Sequence, residues 1–228
     1  SLQVYLDTPD NFSFTSNEVL SSDGFLQLKA LSSTGNPVEG AVIAVMNGPQ
    51  LISKGITTKE GLFAVNLEMD NIAELSVYAN KAGFVQGKHS VVIQPNSYHN
   101  LKLKNFTVID EAGTNVASFG SKISISMDIE NLSSAAVSSF EASLAFNQGI
   151  NPSSLTVQIP DISGQESVTI TVDDLFVSGS NDYDHNVLTQ LIDQSGSNIF
   201  NMCLNVEPMG LEIVFANHDV IPSTSINP

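Results

Sequence analysis

The chain has 228 residues and a formal net charge of −16, and all eight of its basic residues are lysine. Because phosphate backbones are bound chiefly by Lys and Arg, this charge excludes a nucleic-acid-binding role, and an anionic membrane surface would repel the chain. The length is sufficient for two sandwich modules of about 100 residues each.

Apolar and polar residues alternate at period two along most of the chain, which indicates antiparallel strands with one face on a core. The pattern is clearest at Ile123, Ile125, Met127 and Ile129, which alternate with Ser, Asp and Glu. The sequence therefore predicts an all-β fold. In the first half, the predicted strands are 3–6, 25–31, 41–46, 50–55, 62–67, 75–82 and 88–93. The Asn47-Gly48 step predicts a hairpin with a type I′ turn, although Pro49 favours a longer loop.

Residues 94–97, Gln-Pro-Asn-Ser, are expected to end the first strand series, because Pro gives no amide hydrogen to a ladder. The second series is predicted at 101–109, 122–130, 140–146, 154–159, 167–177, 185–193 and 199–207. Seven strands on each side predict two tandem immunoglobulin-like sandwiches, at 1–95 and 96–208. Residues 209–228 are then a strand or linker towards a further module, and the chain is expected to be a segment of a longer or processed polypeptide.

The residues with reactive side chains form no recognisable catalytic motif. Cys203 cannot form an internal disulfide, and its strand context predicts an inert buried thiol. The four histidines do not have zinc-site spacing, and no G-x-S-x-G elbow is present. Asp173 and Asp174 are adjacent, so on a regular strand they face opposite sides and form no acid/base pair.

Asn181, Asp182 and Asp184 form the densest group of oxygen ligands, after Gly179-Ser180. Calcium takes six to eight oxygens, so these three residues are the candidate metal ligands. A loop of solvated turn formers explains the same composition.

Four aromatic residues are candidates for stacking on a sugar ring: Tyr78, Phe84, Tyr98 and Tyr183. The chain has no Trp, which favours packing in the core or at its rim over a sugar platform.

Three features of the second half are Asn131 near the end of a predicted strand, a Pro160-led step, and an aromatic-led strand over 200–208. In these features it resembles the Ig-like repeats that follow the catalytic domain in gingipain-type cysteine peptidases and similar secreted Bacteroidetes proteins. Related repeats carry an Asn/Asp/Gly-rich loop after the first strand, whereas only Asp110 and Glu111 supply carboxylates there in this chain.

The first half is similar to the Ig-like domain directly behind such catalytic domains and to carboxypeptidase-regulatory-like sandwiches. The shared features are a glycine turn at Gly61 and the Gly83-Phe84 step. Neither family is catalytic in this region, so the resemblance implies accessory modules with no cofactor.

Together these observations predict a non-catalytic spacer and interaction region of an extracellular or cell-surface bacterial protein, downstream of a gingipain-type peptidase domain. A stand-alone adhesin or glycan-binding module is the alternative. The expected partners are a protein or glycan surface ligand and the neighbouring domains of the same protein.

Overall fold

A computed structural model describes residues 8–68, 72–95, 100–111, 117–178 and 186–207. The fold is all-β, as predicted, and forms two sandwiches. The first sandwich contains β1 Ser13–Ser16, β2 Val19–Leu20, β3 Phe25–Leu31, β4 Val42–Asn47, β5 Gln50–Ile56, β6 Leu62–Asn66, β7 Glu74–Asn80 and β8 Gly87–Gln94. The second contains β9 Leu101–Asp110, β10 Ala117–Ser118, β11 Lys122–Asn131, β12 Phe140–Phe146, β13 Ile150–Asn151, β14 Ser154–Ile159, β15 Ser167–Val177, β16 Asn186–Asp193 and β17 Asn198–Glu207.

The two sandwiches share one topology, except that the second has an additional edge strand, β13, in its smaller sheet. In the first, a three-stranded sheet of order β1-β3-β6 faces a five-stranded sheet of order β2-β8-β7-β4-β5. In the second, the corresponding sheets are β13-β15-β11-β9 and β10-β17-β16-β12-β14. Each five-stranded sheet has one short parallel strand at its edge, β2 on β8 and β10 on β17. Two packed antiparallel sheets with these crossovers are the immunoglobulin-like arrangement.

Each sandwich has its own apolar core, built from the inward positions of alternating strands. The first core includes Leu26, Leu28 and Ile43, and the second includes Ile125, Met127 and Phe200, all fully buried. Because side chains on a strand alternate between faces, the predicted phase of β11 is confirmed, with its apolar residues inside.

The strands predicted at 25–31, 140–146, 154–159 and 167–177 have the observed bounds, and the other described ones agree within two residues. Strands β1, β2, β10 and β13 were not predicted. Three of these have two residues each, which is too short for any periodicity to show. The strand predicted at 3–6 lies outside the described residues.

The predicted hairpin between β4 and β5 is confirmed, but its predicted turn type is wrong. Asn47 pairs with Gln50, so the two-residue loop is Gly48-Pro49, with Gly48 at φ 54°. A type I′ turn needs positive φ at both central residues, which Pro cannot adopt. Glycine first and proline second match a type II′ turn, and a bulge beside Met46 completes the connection.

Asn131, which the resemblance singles out, ties together the loops at one end of the second sandwich. Its fully buried carboxamide donates to the carbonyl oxygens of Ala135, Ile162 and Ser163, and accepts from the amide of Ser133. Asn131 therefore adds side-chain hydrogen bonds to those that the loop backbones make with one another, such as the bond from the Val137 amide to the Ile162 carbonyl oxygen.

Candidate functional site

The residues predicted to bind calcium, Asn181, Asp182 and Asp184, lie outside the described residues, so this site stays a prediction. Within the described ranges, no group of three or more His, Cys, Asp or Glu side chains is arranged to hold a metal ion. No helix in the same ranges is long and apolar enough to cross a membrane.

Asp173 and Asp174 do not follow the alternation that the sequence predicted. The pairing of β15 with β11 shifts between Ile123 and Ile125, and Asp174 has φ 58°. This bulge leaves both carboxylates exposed. The Asp173 carboxylate accepts a hydrogen bond of 2.7 Å from the Ser124 hydroxyl.

Ser16 and His89 are the described pair closest to a nucleophile and its base. The Ser16 hydroxyl lies 3.2 Å from Nε2 of His89, and partial burial lowers the pKa of the imidazole. The ring stacks beside Phe14, with the two centroids 5.7 Å apart. Among the described residues, no carboxylate bonds the other ring nitrogen, so the orienting member of a triad is not supplied there.

Cys203 is buried, as predicted, but not in the core of the second sandwich. It lies on the outer side of β17 and forms a small apolar cluster with Leu188 and with Phe25 and Ala64 of the first sandwich. Burial raises the pKa of the thiol to about 12. The neutral S–H faces the side-chain oxygens of Asn186 and Asn205, at 3.7 and 3.4 Å. A thiol held neutral in this way is not a nucleophile.

This cluster belongs to a contact between the two sandwiches, here called the junction. The Asn66 side chain, at the end of β6, donates from Nδ2 to the carbonyl oxygen of Cys203 at 2.8 Å. Its Oδ1 accepts from the Cys203 amide nitrogen at 2.7 Å. Among the described residues, β10 pairs with Val206 and Glu207 and does not extend to Cys203. Asn66 therefore satisfies the strand edge as another strand would.

Asp23 binds the same edge of β17 at Asn201, two residues before Cys203. Its Oδ2 accepts from the amide of Asn201 at 2.9 Å, while Oδ1 accepts from the amide of Phe25 in its own sandwich at 3.2 Å. Burial of this carboxyl raises its pKa, and the hydrogen bonds from Asn201 and Phe25 oppose the rise only in part. A backbone bond from the amide of Leu103 to the carbonyl of Ser22, 2.8 Å long, adds a third link.

The outer side of the five-stranded sheet in the first sandwich forms a second surface, here called the Tyr78 face. Register places Lys54, Ala44, Tyr78 and Lys88 in one row across β5, β4, β7 and β8. The neighbouring rows add the apolar side chains of Val42, Ile56, Met46, Leu51 and Val92.

Exposure sets the Tyr78 face apart from an ordinary outer sheet face, which is polar. Ile56 is 63% exposed, Val92 58%, and Val42 and Leu51 50% each. These are four of the eight exposed large hydrophobic side chains recorded for the described residues. Val42, Ile56, Met46 and Leu51 lie on β4 and β5, and Ser76 and Ser90 separate them from Val92. Exposed apolar side chains on one open face are a common feature of interaction surfaces.

The aromatic candidates have different surroundings. Phe84 packs on Phe12, with ring centroids 4.7 Å apart, and contacts the first core. Tyr78 is half-buried on the outer face, and the Lys88 ammonium lies 5.7 Å from its ring centroid. Tyr98 and Tyr183 lie outside the described residues. Of the two candidates that the structure describes, Tyr78 lies on an open sheet face and Phe84 packs against the core.

No protein-family model matches the chain, and no curated protein matches it. Solved structures with some similarity include the BSP domain of a biofilm-associated protein, at 10% identity and a TM-score of 0.32, where the match covers 85% of this chain and 29% of that chain. An Escherichia coli alpha-2-macroglobulin matches at 9% identity and a TM-score of 0.32, over 89% of this chain and 22% of that chain. The D0-D1 domain of intimin matches at 11% identity and a TM-score of 0.29, over 85% of this chain and 97% of that chain. The chain thus spans under a third of the length of the first two. Similarity at this level assigns neither a family nor a function.

Proposed function

We propose that this chain is a non-catalytic spacer and interaction region of a secreted or surface-displayed protein, in which the two sandwiches form one rigid unit. The observation that carries the proposal is the junction, where Asp23 and Asn66 of one sandwich cap the strand edge of the other. A spacer needs a fixed angle between its modules, and the junction supplies one.

Neighbouring domains move relative to each other unless their interface is well packed. At the junction, hydrogen bonds enclose an apolar contact among Phe25, Ala64 and Cys203. Breaking the contact would exchange the hydrogen bonds of the Cys203 backbone for bonds to water and would expose Phe25, which is 4% exposed in the closed form. The part-buried hydrogen bonds and the burial of an aromatic ring therefore both oppose bending.

Recognition, rather than turnover, fits the side chains that the fold presents. The Cys203 thiol is kept protonated at neutral pH, and the Tyr78 face offers apolar area with lysines beside it. We therefore expect no turnover of peptide, ester or glycan substrates. A rate that disappears in Cys203→Ser would contradict this part of the proposal.

The position of the chain behind a gingipain-type peptidase domain is part of the proposal and rests on the resemblance of residues such as Asn131 and Gly61. The alternative, a stand-alone adhesin or glycan-binding module, draws support from the Tyr78 ring on an open face. Sequencing the gene distinguishes the two: the first proposal predicts a peptidase domain on the amino-terminal side of these sandwiches, and the alternative predicts none.

Rigidity is tested by residual dipolar couplings of the backbone amides in a weakly aligned sample. One rigid unit has a single alignment tensor for both sandwiches, whereas independent modules have tensors of different magnitude. The proposal predicts a single tensor for the unmodified protein and two tensors for the Asn66→Ala variant. Two tensors in the unmodified protein would contradict it.

A further inference from the structure

We propose that the Tyr78 face binds the second sandwich of another copy of the chain, so that copies associate head to tail. The inference rests on the proposed function, because it names a partner for the interaction region. It combines the apolar character of the face, its lysines, and an acidic apolar surface on the second sandwich.

The Tyr78 face is not the surface that the chain's own second sandwich uses. That sandwich packs on Phe25, Ala64 and Asn66, which belong to β3 and β6 of the three-stranded sheet. The Tyr78 face belongs to the opposite sheet, and its side chains Val42, Ile56 and Val92 are exposed. A second molecule can therefore reach this face while the junction stays closed.

The charge of the face selects the occupant. Lys54 and Lys88 lie at the two ends of the row that contains Tyr78, and both are exposed. Among the described outward residues of β4, β5, β7 and β8, one carries a carboxylate: Glu74, which pairs with Val92. A face with two lysines and one carboxylate on a chain of net charge −16 favours an acidic partner.

A surface of the required kind lies on the outer side of β9, β11 and β15, here called the Asp173 face. Ile109 pairs with Ser124, and Phe176 pairs with Lys122; these two apolar side chains are 44% and 39% exposed. The exposed carboxylates of Asp173 and Asp174 lie at the adjoining bulge, and the exposed Glu111 directly follows β9. At this end of the sheet the face thus combines apolar contact area with three carboxylates against Lys122, while Lys102 and Lys104 lie farther along the same side, beside Glu130.

Charge also decides between head-to-tail and symmetric pairing. If two copies joined through their Tyr78 faces, four lysines would meet only two copies of Glu74. Placing the Tyr78 face on the Asp173 face brings together three lysines and four carboxylates, with the lysine excess on one face and the carboxylate excess on the other. Such a heterologous contact leaves one face free at each end, so that it adds copies in an open row.

The size of the contact predicts its strength. The face covers four strands about 4.8 Å apart, so it is roughly 15 to 20 Å wide. Its four rows of outward residues span about 20 Å along the strands, so the patch measures roughly 300 to 400 Å². Stable complexes bury about 800 Å² per partner, which is about twice as much. The association should therefore be weak and visible only at high protein concentration.

The experiment is sedimentation velocity at protein concentrations up to about 1 mM, because contacts of this size are weak. Two double variants alter one face each: Lys54→Glu with Lys88→Glu, and Glu111→Lys with Asp173→Lys. Asp174 is left unchanged because its φ of 58° restricts the choice of residue. Lys29→Glu with Lys59→Glu, in the first sandwich but away from the Tyr78 face, is the matched control for added negative charge.

We expect the unmodified protein and the control to self-associate alike, and each face variant alone to associate at least about tenfold more weakly, since like charges then meet. An equimolar mixture of the two face variants should regain association, because opposite charges meet again. The Glu111→Lys, Asp173→Lys variant is less negatively charged than the unmodified protein, so stronger repulsion between whole molecules cannot explain its loss of association. Thermal unfolding of each variant checks that it is folded.

Three results would overturn the proposal: a monomer at the highest concentration, unchanged association of the Glu111→Lys, Asp173→Lys variant, or a mixture that stays monomeric. The second result would indicate symmetric pairing or another partner, such as a glycan bound at Tyr78. None of these results bears on rigidity, because the dipolar couplings report on single molecules. Failure of this inference is therefore distinguishable from failure of the proposed spacer role.

Discussion

Asn66 binds the backbone of Cys203, 137 residues further along the chain, through both polar atoms of its carboxamide. The donor distance to the carbonyl oxygen is 2.8 Å, and the acceptor distance from the amide nitrogen is 2.7 Å. Open strand edges are sites where other strands add, and proteins usually protect them. At the junction, a side chain from one sandwich protects the edge of the other and joins the two in the same contact.

Replacing Asn66 with Ala should weaken the junction. The amide and carbonyl of Cys203 would lose their partners, at a cost of about 1–3 kcal/mol where they stay buried. Asn66→Asp should be no better, because a carboxylate cannot donate to the carbonyl oxygen. Urea unfolding measures the loss, with the exposed Asn80→Ala as a control expected to change stability by under about 0.5 kcal/mol. Equal stability of Asn66→Ala and the control would contradict the account.

The junction should be more stable in mild acid because of Asp23. Burial raises the pKa of this carboxyl in the folded protein, so the folded state binds a proton more tightly than the unfolded chain. The stabilisation from this proton is complete below the unfolded pKa near 3.8 and is lost as pH rises through the raised folded value.

The free energy of unfolding of the unmodified protein, minus that of Asp23→Asn, should therefore grow as pH falls from neutral towards 4. Asn lacks the titrating group, so the difference isolates the Asp23 carboxyl. A difference that grows with rising pH would mean that hydrogen bonds from Asn201 and Phe25 outweigh the cost of burial.

Two glycines with similar backbone angles should respond differently to substitution. Gly61 has φ +72°, and a Cβ there would overlap the carbonyl oxygen of Ala30. Gly35 has φ +82°, and a Cβ would meet nothing within 4 Å. Gly35→Ala should cost about 1–2 kcal/mol from the left-handed backbone alone. Gly61→Ala should cost several kcal/mol more through the clash, and thermal unfolding of the pair tests whether the costs differ.

Thr189→Val should stabilise the second sandwich. The Thr189 hydroxyl is fully buried and has no hydrogen-bond partner among the described residues. Valine has nearly the same shape and removes the unsatisfied group, which costs about 1–3 kcal/mol when buried. Denaturant unfolding should show a gain of about 1 kcal/mol. A loss of stability would mean that an ordered water satisfies the hydroxyl.

The strands were predictable because each has one face on the core, so that apolar and polar residues alternate along it. β11 and β15 show this most clearly, with Ile125 and Val172 inside and Ser126 and Thr171 outside. The Asn-Gly step predicts the wrong turn type because Asn47 belongs to the strand, so that the fixed φ of Pro49 falls at the second central position of a two-residue loop. The bulge at Asp174 was missed because an extra residue interrupts the alternation without changing composition.

No short stretch of sequence predicts the junction or the Tyr78 face. Asp23 and Asn66 lie 178 and 137 residues from the atoms they bind, so no window of sequence contains both partners. The run that contains Val42 and Met46 is apolar at nearly every position, so periodicity cannot tell its core face from its outer face. Only the register of β4 against its neighbours shows that Val42, Ala44 and Met46 point outwards.

The most direct test of a rigid two-sandwich unit is the reaction of the native Cys203 thiol with a disulfide reagent. The thiol is covered by Phe25 and Ala64 of the other sandwich, and its pKa of about 12 keeps the reactive thiolate scarce at pH 8. A closed junction predicts labelling at least about a hundredfold slower than in the unfolded chain, and faster labelling in Asn66→Ala. Labelling of the unmodified protein at nearly the unfolded rate would show that the junction is open in solution and would contradict the account.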